Sequence, residues 1–414
     1  MHKMSRGTLA AAAAGAFALC AAGTASAADG TIKIAYIDPL SGPFANVGEQ
    51  GMHHFQFAID AVNAHGGVLG GKKLELVTLD SKSNPQDAQI ALKRAIDDGV
   101  RFVTQGNGSN VAHAIVDALG KHNERESDKA VLYLNYAAVD PALTNDKCSF
   151  WHFRFDADAD MKMEALTNQI AKQPNYKKIY FINMDYSFGK AVSAASNALI
   201  KKKRPDIQIV GDELHPMGKV QDFSPYVAKI KASGADAVIT GNWGNDLALL
   251  VKAAKDAGLA VDWYTYYAGG LGTPSAIGQA GKDRVKQVSE WTSDVEVADT
   301  DELVRSYKEK YGADYYYYRI ATEIEMLARA IDKAKSTDPV AVAKALEGMT
   351  YEASVGALTM RADNHQILQP LYISTMSAGQ KYDVENTGLG FKPDARIEAK
   401  ETEMPTTCKM KRPG

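Results

Sequence analysis

The sequence predicts an α/β fold of two Rossmann-like lobes with parallel sheets, joined by a hinge of three chain segments. Three observations carry that expectation. Helical and strand periodicities alternate along almost the whole chain, as in parallel sheets covered by helices on both faces. Residues 85–136 and 223–266 then repeat one unit: helix, glycine, buried strand, Gly-Asn loop, helix, strand. Long helices from about Thr300 follow the second unit, so the chain crosses back to the first lobe and later returns.

Residues 1–27 are set apart as a leader. Lys3 and Arg6 precede an apolar, Ala-rich run over 8–22, and Ala25-Ser26-Ala27 forms an A-x-A site, so a signal peptide ends at about Ala27. The run is too short for a transmembrane helix, and no later segment supplies about twenty apolar residues. Anchoring through Cys20 is disfavoured by Leu19, where lipoprotein processing prefers a small residue. The 27-residue leader holds two of the 47 basic residues, leaving 387 of 414 residues with 45 basic against 50 acidic. That length suits two domains. The charges are scattered, which gives neither a basic stripe for nucleic acid nor attraction to anionic lipid.

The first lobe begins with a strand over 32–37, the loop Ser41-Gly42-Pro43-Phe44 and a helix over about 48–64. Glycines between 66 and 71 end that helix before a strand over 74–79. Asn84 caps the next helix with Pro85 in its first turn. Ala88, Ala91, Leu92, Ala95 and Ile96 fall on one face, and Gly99 sits where a helix end wants positive φ. A strand over 100–104 leads into Gly106-Asn107-Gly108-Ser109-Asn110, a helix carrying Val111, Ile115, Ala118 and Leu119, and a strand ending near Tyr136.

The second lobe starts again with a strand over 179–184, Phe188-Gly189, a helix and a strand over 207–214. A strand over 237–240 opens into Gly241-Asn242-Trp243-Gly244-Asn245-Asp246, and another over 263–267 into Gly269-Gly270-Leu271-Gly272. Helices over 301–311, 315–335 and 339–347 precede strands from 371 onward. The expected division is residues 28–154 with 293–367 in lobe one, and 155–292 with 368–414 in lobe two.

Two lobes that each end a buried strand in a Gly-Asn loop suggest a small molecule gripped between them. Ser109 follows two glycines at a helix start, where free N–H groups and the helix dipole favour a carboxylate. Its structural alternative is a plain N-cap serine worth about 1 kcal/mol. Trp243 is either a core plug or the wall of a ligand slot, and Phe188 carries the same ambiguity; Asn245 or Asp246 is expected to cap the following helix. Four tyrosines, 315–318, at a helix start point in four directions, so one or two reach a cleft. His53-His54 reads as helix surface. No nucleophile elbow, P-loop or dinucleotide fingerprint survives inspection, so neither an enzyme nor a cofactor is expected. Without Cys20, Cys148 and Cys408 remain, and two cysteines in an exported chain point to a disulfide. The alternative is two free thiols; no metal spacing exists.

With these residues in view, the chain resembles the type I periplasmic solute-binding proteins of ABC importers, in the leucine/isoleucine/valine-binding family. Ser41-Gly42-Pro43, the turn over 63–67 with Gly70, Ala137-Ala138 with Pro141 and Leu143-Thr144, Arg154 with Asp158, and Ala257-Gly258-Leu259 carry the likeness. The resemblance implies a ligand whose carboxylate is held in lobe one by Ser109 and the backbone at Ala137. Asn107 of the Gly-Asn loop is counted with the site, and so is Tyr136, which with Tyr266 and Tyr267 is an extra aromatic at the strand ends that suits a ligand without an ammonium. Val139 stands where relatives often have a threonine, and Val47 where they often have an aromatic. Phe188 and Trp243 become covering aromatics, Tyr315 a further pocket aromatic, and Gly269 part of the site. Amino-acid binders carry an acid just after the strand over 263–267; here Ala268-Gly269-Gly270 stand there. Either Asp140, Asp185 or Asp246 substitutes, or the ligand has no ammonium. Ser83 and Gly108 replace the cysteine pair of leucine-binding relatives, leaving Cys148–Cys408 as a different solution. The implied protein is a periplasmic monomer that binds a small apolar or aromatic carboxylate and delivers it to an inner-membrane ABC permease with its ATPase subunits. A hydrophobic amino acid is the alternative ligand, and a ligand-sensing receptor module the alternative role.

Overall fold

The computed structural model describes residues 30–413, so the leader at 1–27, with Cys20, lies outside the described residues. The first lobe is built on β1 (Thr31–Asp38), α1 (Ala45–Ala64), β2 (Lys73–Asp80), α2 (Pro85–Asp97), β3 (Phe102–Gln105), α3 (Ser109–Arg125), β4 (Leu132–Asn135) and β5 (His152–Arg154). The second follows with α4 (Ala159–Ala171), β6 (Lys178–Met184), α5 (Ser187–Lys203), β7 (Gln208–His215), α6 (Ser224–Ser233), β8 (Ala237–Thr240), α7 (Gly244–Asp256), β9 (Asp262–Thr265), α8 (Thr273–Ile277) and β10 (Val285–Ser289). The chain then returns through α9 (Thr300–Tyr311), α10 (Tyr318–Ala334) and α11 (Pro339–Leu346). A small antiparallel sheet follows, β11 (Thr350–Ala353), β12 (Gly356–Met360) and β13 (Ile367–Leu368). The last elements are β14 (Leu371–Ala378), β15 (Leu389–Ile397) and α12 (Ala399–Thr402).

The first sheet is parallel, in the order β2-β1-β3-β4-β5. In the second sheet β7-β6-β8-β9-β10 repeat that winding, so the sequence repeat is a repeat of topology. β14 and β15 then extend the β10 edge antiparallel. Helices cover both faces of the parallel strands, which is why β3, β4 and β8 are buried at every position and read as short runs without polar alternation. Local signals hold where they were strongest. Asn84 caps α2 by accepting from the N–H groups of Gln86 and Asp87, and Ala88, Ala91, Leu92 and Ala95 are its buried face.

Three expectations shift. The helix after Ala313 starts at Tyr318, so Tyr315, Tyr316 and Tyr317 lie in an irregular segment ahead of it. The strand expected over 263–267 ends at Thr265, which leaves Tyr266 and Tyr267 in the turn beyond. The small sheet β11–β13 was not anticipated, its strands being two to five residues long with little periodicity to read.

The chain passes between the lobes after β5, after β10 and after β13. Cys148 and Cys408 form a disulfide, with their Cα atoms 5.6 Å apart. The tail from Met404, placed with the second lobe by the expected division, lies against first-lobe elements. Thr406 Oγ1 donates to the Thr144 carbonyl (3.2 Å), the Thr407 N–H donates to Asn145 Oδ1 (3.2 Å), and Arg412 bonds the Ala362 carbonyl (2.7 Å). Replacing both cysteines with serine is expected to lower the free energy of unfolding by about 2–5 kcal/mol. A urea titration checks it; an unchanged midpoint would mean that the tail's hydrogen bonds hold it without the bridge.

Candidate functional site

In each lobe the strand order reverses between the first strand and its neighbour, and loops at the carboxyl ends of those strands frame a crevice. In lobe one, Asp38 ends β1 and its carboxylate accepts the N–H groups of Gly106 (3.2 Å) and Asn107 (2.9 Å). Burial pushes Asp38 up to about 7, against the pull of the Tyr136 hydroxyl and these N–H groups. Tyr136 donates to Asp38 (2.7 Å) and accepts from Asn107 Nδ2 (2.7 Å), so one hydroxyl ties the loop to the strand. A Cβ on Gly106 would stand 2.6 Å from the Tyr136 ring, which explains the glycine. In lobe two Asn183 takes the corresponding part, its Oδ1 accepting the Gly241 N–H at 2.7 Å.

Ser109 is the first helical residue of α3, and the N-cap is Gly108 at φ 98°. The serine therefore does not cap its own helix, contrary to the plain structural reading. Its Oγ accepts the Asp140 N–H (3.3 Å), leaving its proton free for another acceptor beside the first-turn N–H groups.

Trp243 from lobe two faces this loop. It occupies the N-cap position of α7, its Nε1 donates to the Tyr186 hydroxyl (2.8 Å), and its ring lies 4.3 Å from Phe44 of lobe one. Neither Asn245 nor Asp246 caps α7; Asp246 instead accepts the Gly218 N–H at 2.8 Å. The cleft between the walls is lined by Val47, Asn107, Ser109, Ala137, Phe188 and Trp243, together with Tyr186, Tyr267, Leu271, Tyr316, Tyr317 and Arg319. Its free space is about 30 Å³, little more than a water needs. Seating a benzoic acid requires the walls of the cleft to move.

Four of the expected residues do not line this cleft. Tyr136 is behind the loop it braces, and Val139 is buried with its carbonyl accepting the Ala159 N–H (2.9 Å). Gly269 donates its N–H to Gln287 Oε1 (2.7 Å), one residue away from the lining Gly270. Tyr315 turns toward His54, Tyr307 and Trp291, and its neighbours Tyr316 and Tyr317 face the cleft instead. Ala137 is on the wall, but its N–H is taken by Asn135 Oδ1 at 3.1 Å.

Arg319 carries no local signal that sets it apart in the sequence. Its guanidinium sits under the rings of Tyr317, Tyr316 and Tyr267, at 4.7, 5.7 and 6.0 Å from their centroids. Nη1 donates to Glu290 Oε1 (2.8 Å) and Nε lies 3.5 Å from Asp156 Oδ2, which also accepts from Lys162 Nζ (2.7 Å). Burial opposes the charge on Arg319, but the Glu290 and Asp156 carboxylates outweigh it and hold the group above its ordinary range. Two cations thus meet two anions, all buried, where the chain passes between lobes. No acidic side chain lines the cleft among the described residues, and the Tyr267 hydroxyl there is buried without a hydrogen-bond partner.

A family model described as periplasmic binding protein matches residues 31–381. The Leu/Ile/Val-binding protein homolog 4 of Brucella abortus (strain 2308) is 32% identical over 410 residues, covering 96% of this chain and 97% of the relative. The closed crystal structure of a leucine-, isoleucine-, valine-, threonine- and alanine-binding protein from Brucella ovis superposes with a TM-score of 0.83 at 30% identity, over 93% of this chain and all of that one. A solute-binding protein from Rhodopseudomonas palustris BisB5, solved with 3,4-dihydroxybenzoic acid, shares the fold at 20% identity (TM-score 0.77, 89% and 98% covered). Members of this group are binding proteins rather than enzymes. The chain belongs to the type I periplasmic binding proteins, in their leucine/isoleucine/valine-binding family.

Proposed function

We propose that the protein, exported with its leader cut after about Ala27, works as a monomer in the periplasm. It closes residues 28–154 with 293–367 and the docked tail from Met404 against 155–292 with 368–403 on a small apolar or aromatic carboxylate. It then hands that acid to an inner-membrane ABC permease and its ATPase subunits. The observation that carries the ligand class is the charge of the cleft: its lining holds Arg319 and no acid. Asp156 and Glu290 are already matched by Lys162 and Arg319. A buried ammonium without a counter-charge costs several kcal/mol. The carboxylate is assigned to Ser109 Oγ and the start of α3, with Asn107 and Ala137 beside it. Phe188, Trp243 and Val47 cover the apolar part. Tyr136, Val139, Gly269 and Tyr315 support those walls from behind.

Replacing Ser109 with alanine is expected to weaken benzoate binding about tenfold or more, the worth of a hydrogen bond to a charged group. Calorimetric Kd values check it, and an unchanged Kd removes Ser109 from the site.

A second reading, a hydrophobic amino acid, is favoured by the names of the Brucella relatives. It needs an acid for the ammonium, and none of the three candidates supplies one at the wall. Asp140 faces His113 (2.8 Å), Asp185 pairs with Lys190 at the surface (3.0 Å), and Asp246 holds Gly218. The Rhodopseudomonas palustris complex shows that the same fold can seat a benzoic acid. A thermal-shift panel of leucine and valine against benzoate-type acids separates the two; stabilisation by leucine or valine alone overturns the carboxylate reading.

A further inference from the structure

Behind Tyr316 and Tyr317 lies a second chamber, about 320 Å³, ten times the free space of the cleft. The two share Leu271, Tyr316 and Tyr317 as a common wall. We infer that the ligand is an extended carboxylate whose second apolar or aromatic part enters this chamber and ends in a hydrogen-bond acceptor. The inference rests on the carboxylate reading above and adds the length and the far end of the molecule.

The chamber is built for an uncharged ring. Trp291, Tyr315, Val304 and Phe391 line it. The charges at its rim have partners of their own: Lys381 pairs with Asp301 at 2.5 Å, Lys308 with Asp314 at 2.9 Å and Arg305 with Glu302 at 3.2 Å, while Asp383 and Glu385 accept backbone N–H groups of Gly388, Gly272 and Ser275. Trp291 is 2% exposed, and its Nε1 has no hydrogen-bond partner. A buried N–H left unpaired is destabilising; in this structure neighbouring side chains cover it, and a ligand acceptor that displaces that cover restores the bond. The dividing wall can yield without disturbing a regular element. Tyr316 and Tyr317 precede α10 in irregular chain, and the Tyr316 backbone is held by its N–H to His54 Nε2 (3.0 Å). Rotation of the two side chains joins the compartments while the backbone stays. The size also fits, since drug-sized sites span about 300–1,000 Å³ and the cleft alone is far below that.

The test is calorimetry with benzoate, biphenyl-4-carboxylate and 4′-methoxybiphenyl-4-carboxylate on the full chain and two variants. The wild type is expected to bind the methoxybiphenyl acid at least tenfold more tightly than benzoate. Val304→Trp, which fills the chamber, should abolish that advantage and leave benzoate within about threefold. Trp291→Phe should erase the difference between the methoxylated and plain biphenyl acids. Equal affinity for short and long acids in the wild type, or variants that leave the preferences unchanged, would overturn the chamber, as would a Val304→Trp protein that loses both acids alike. Failure of the wild type to bind benzoate or either long acid would instead overturn the carboxylate reading on which the chamber depends.

Discussion

Replacing Arg319 with methionine is expected to lower the free energy of unfolding by about 3–5 kcal/mol, the cost of breaking a buried ion pair by removing one partner. Methionine roughly keeps the aliphatic packing, so the loss reports charge. Glu290 would then keep only the backbone N–H of position 319 and Asp156 only Lys162, and Glu290 Oε2 and Asp156 Oδ1 already lack hydrogen-bond partners. The three tyrosine rings would lose the cation they surround, a further contribution of about 0.5–2 kcal/mol. The decisive comparison is Arg319→Met combined with Glu290→Gln. If the four groups form one network, the double variant costs clearly less than the sum of the singles. Urea unfolding of all four proteins gives the coupling, and additive losses would reduce Arg319 to ordinary packing.

The largest effect on binding is expected from Trp243→Ala, a loss of about 2–4 kcal/mol or roughly 30- to 1,000-fold in Kd. Trp243 reaches from the second lobe to the opposite wall: it touches Phe44, lines the cleft and is held in place by its bond to Tyr186. Truncation removes the cover from the ligand and the contact that holds the closed form. Because a ligand shifts closure only by its preference for the closed state, both losses appear in the same Kd. Trp243→Phe should fall between, keeping ring contact and losing the bond to Tyr186. Calorimetry at matched thermal stability measures this, and a Trp243→Ala protein with wild-type affinity would make Trp243 a plug rather than a wall.

Much of this architecture was legible because it is written in local signals. The Gly-Asn loops at 106 and 241 announced themselves by glycine and position, and the paired units they close wind their strands in one order. Ser109 and Trp243 were visible for the same reason. What failed to show was everything set by distance in sequence. Arg319 looks like any helix-surface arginine until Glu290 and Asp156, 29 and 163 positions away, are brought under it. Tyr136 was legible as an aromatic at a strand end, but its duty to Asp38, 98 residues earlier, was not. The tyrosine run went astray by one or two residues because α10 begins at Tyr318, and such a shift turns each ring to a different side.

The docked tail alters the mechanics of the hinge. After β15 the chain makes a fourth passage between lobes, and Cys408 is fastened to Cys148 on the far side. Three passages leave a free end that follows either lobe. A fourth, closed by a covalent bond, makes a loop whose slack is the short stretch between Ile397 and Met404. Opening must be taken up by turning within those few residues, so the tail sets a stop on how far the jaws swing apart.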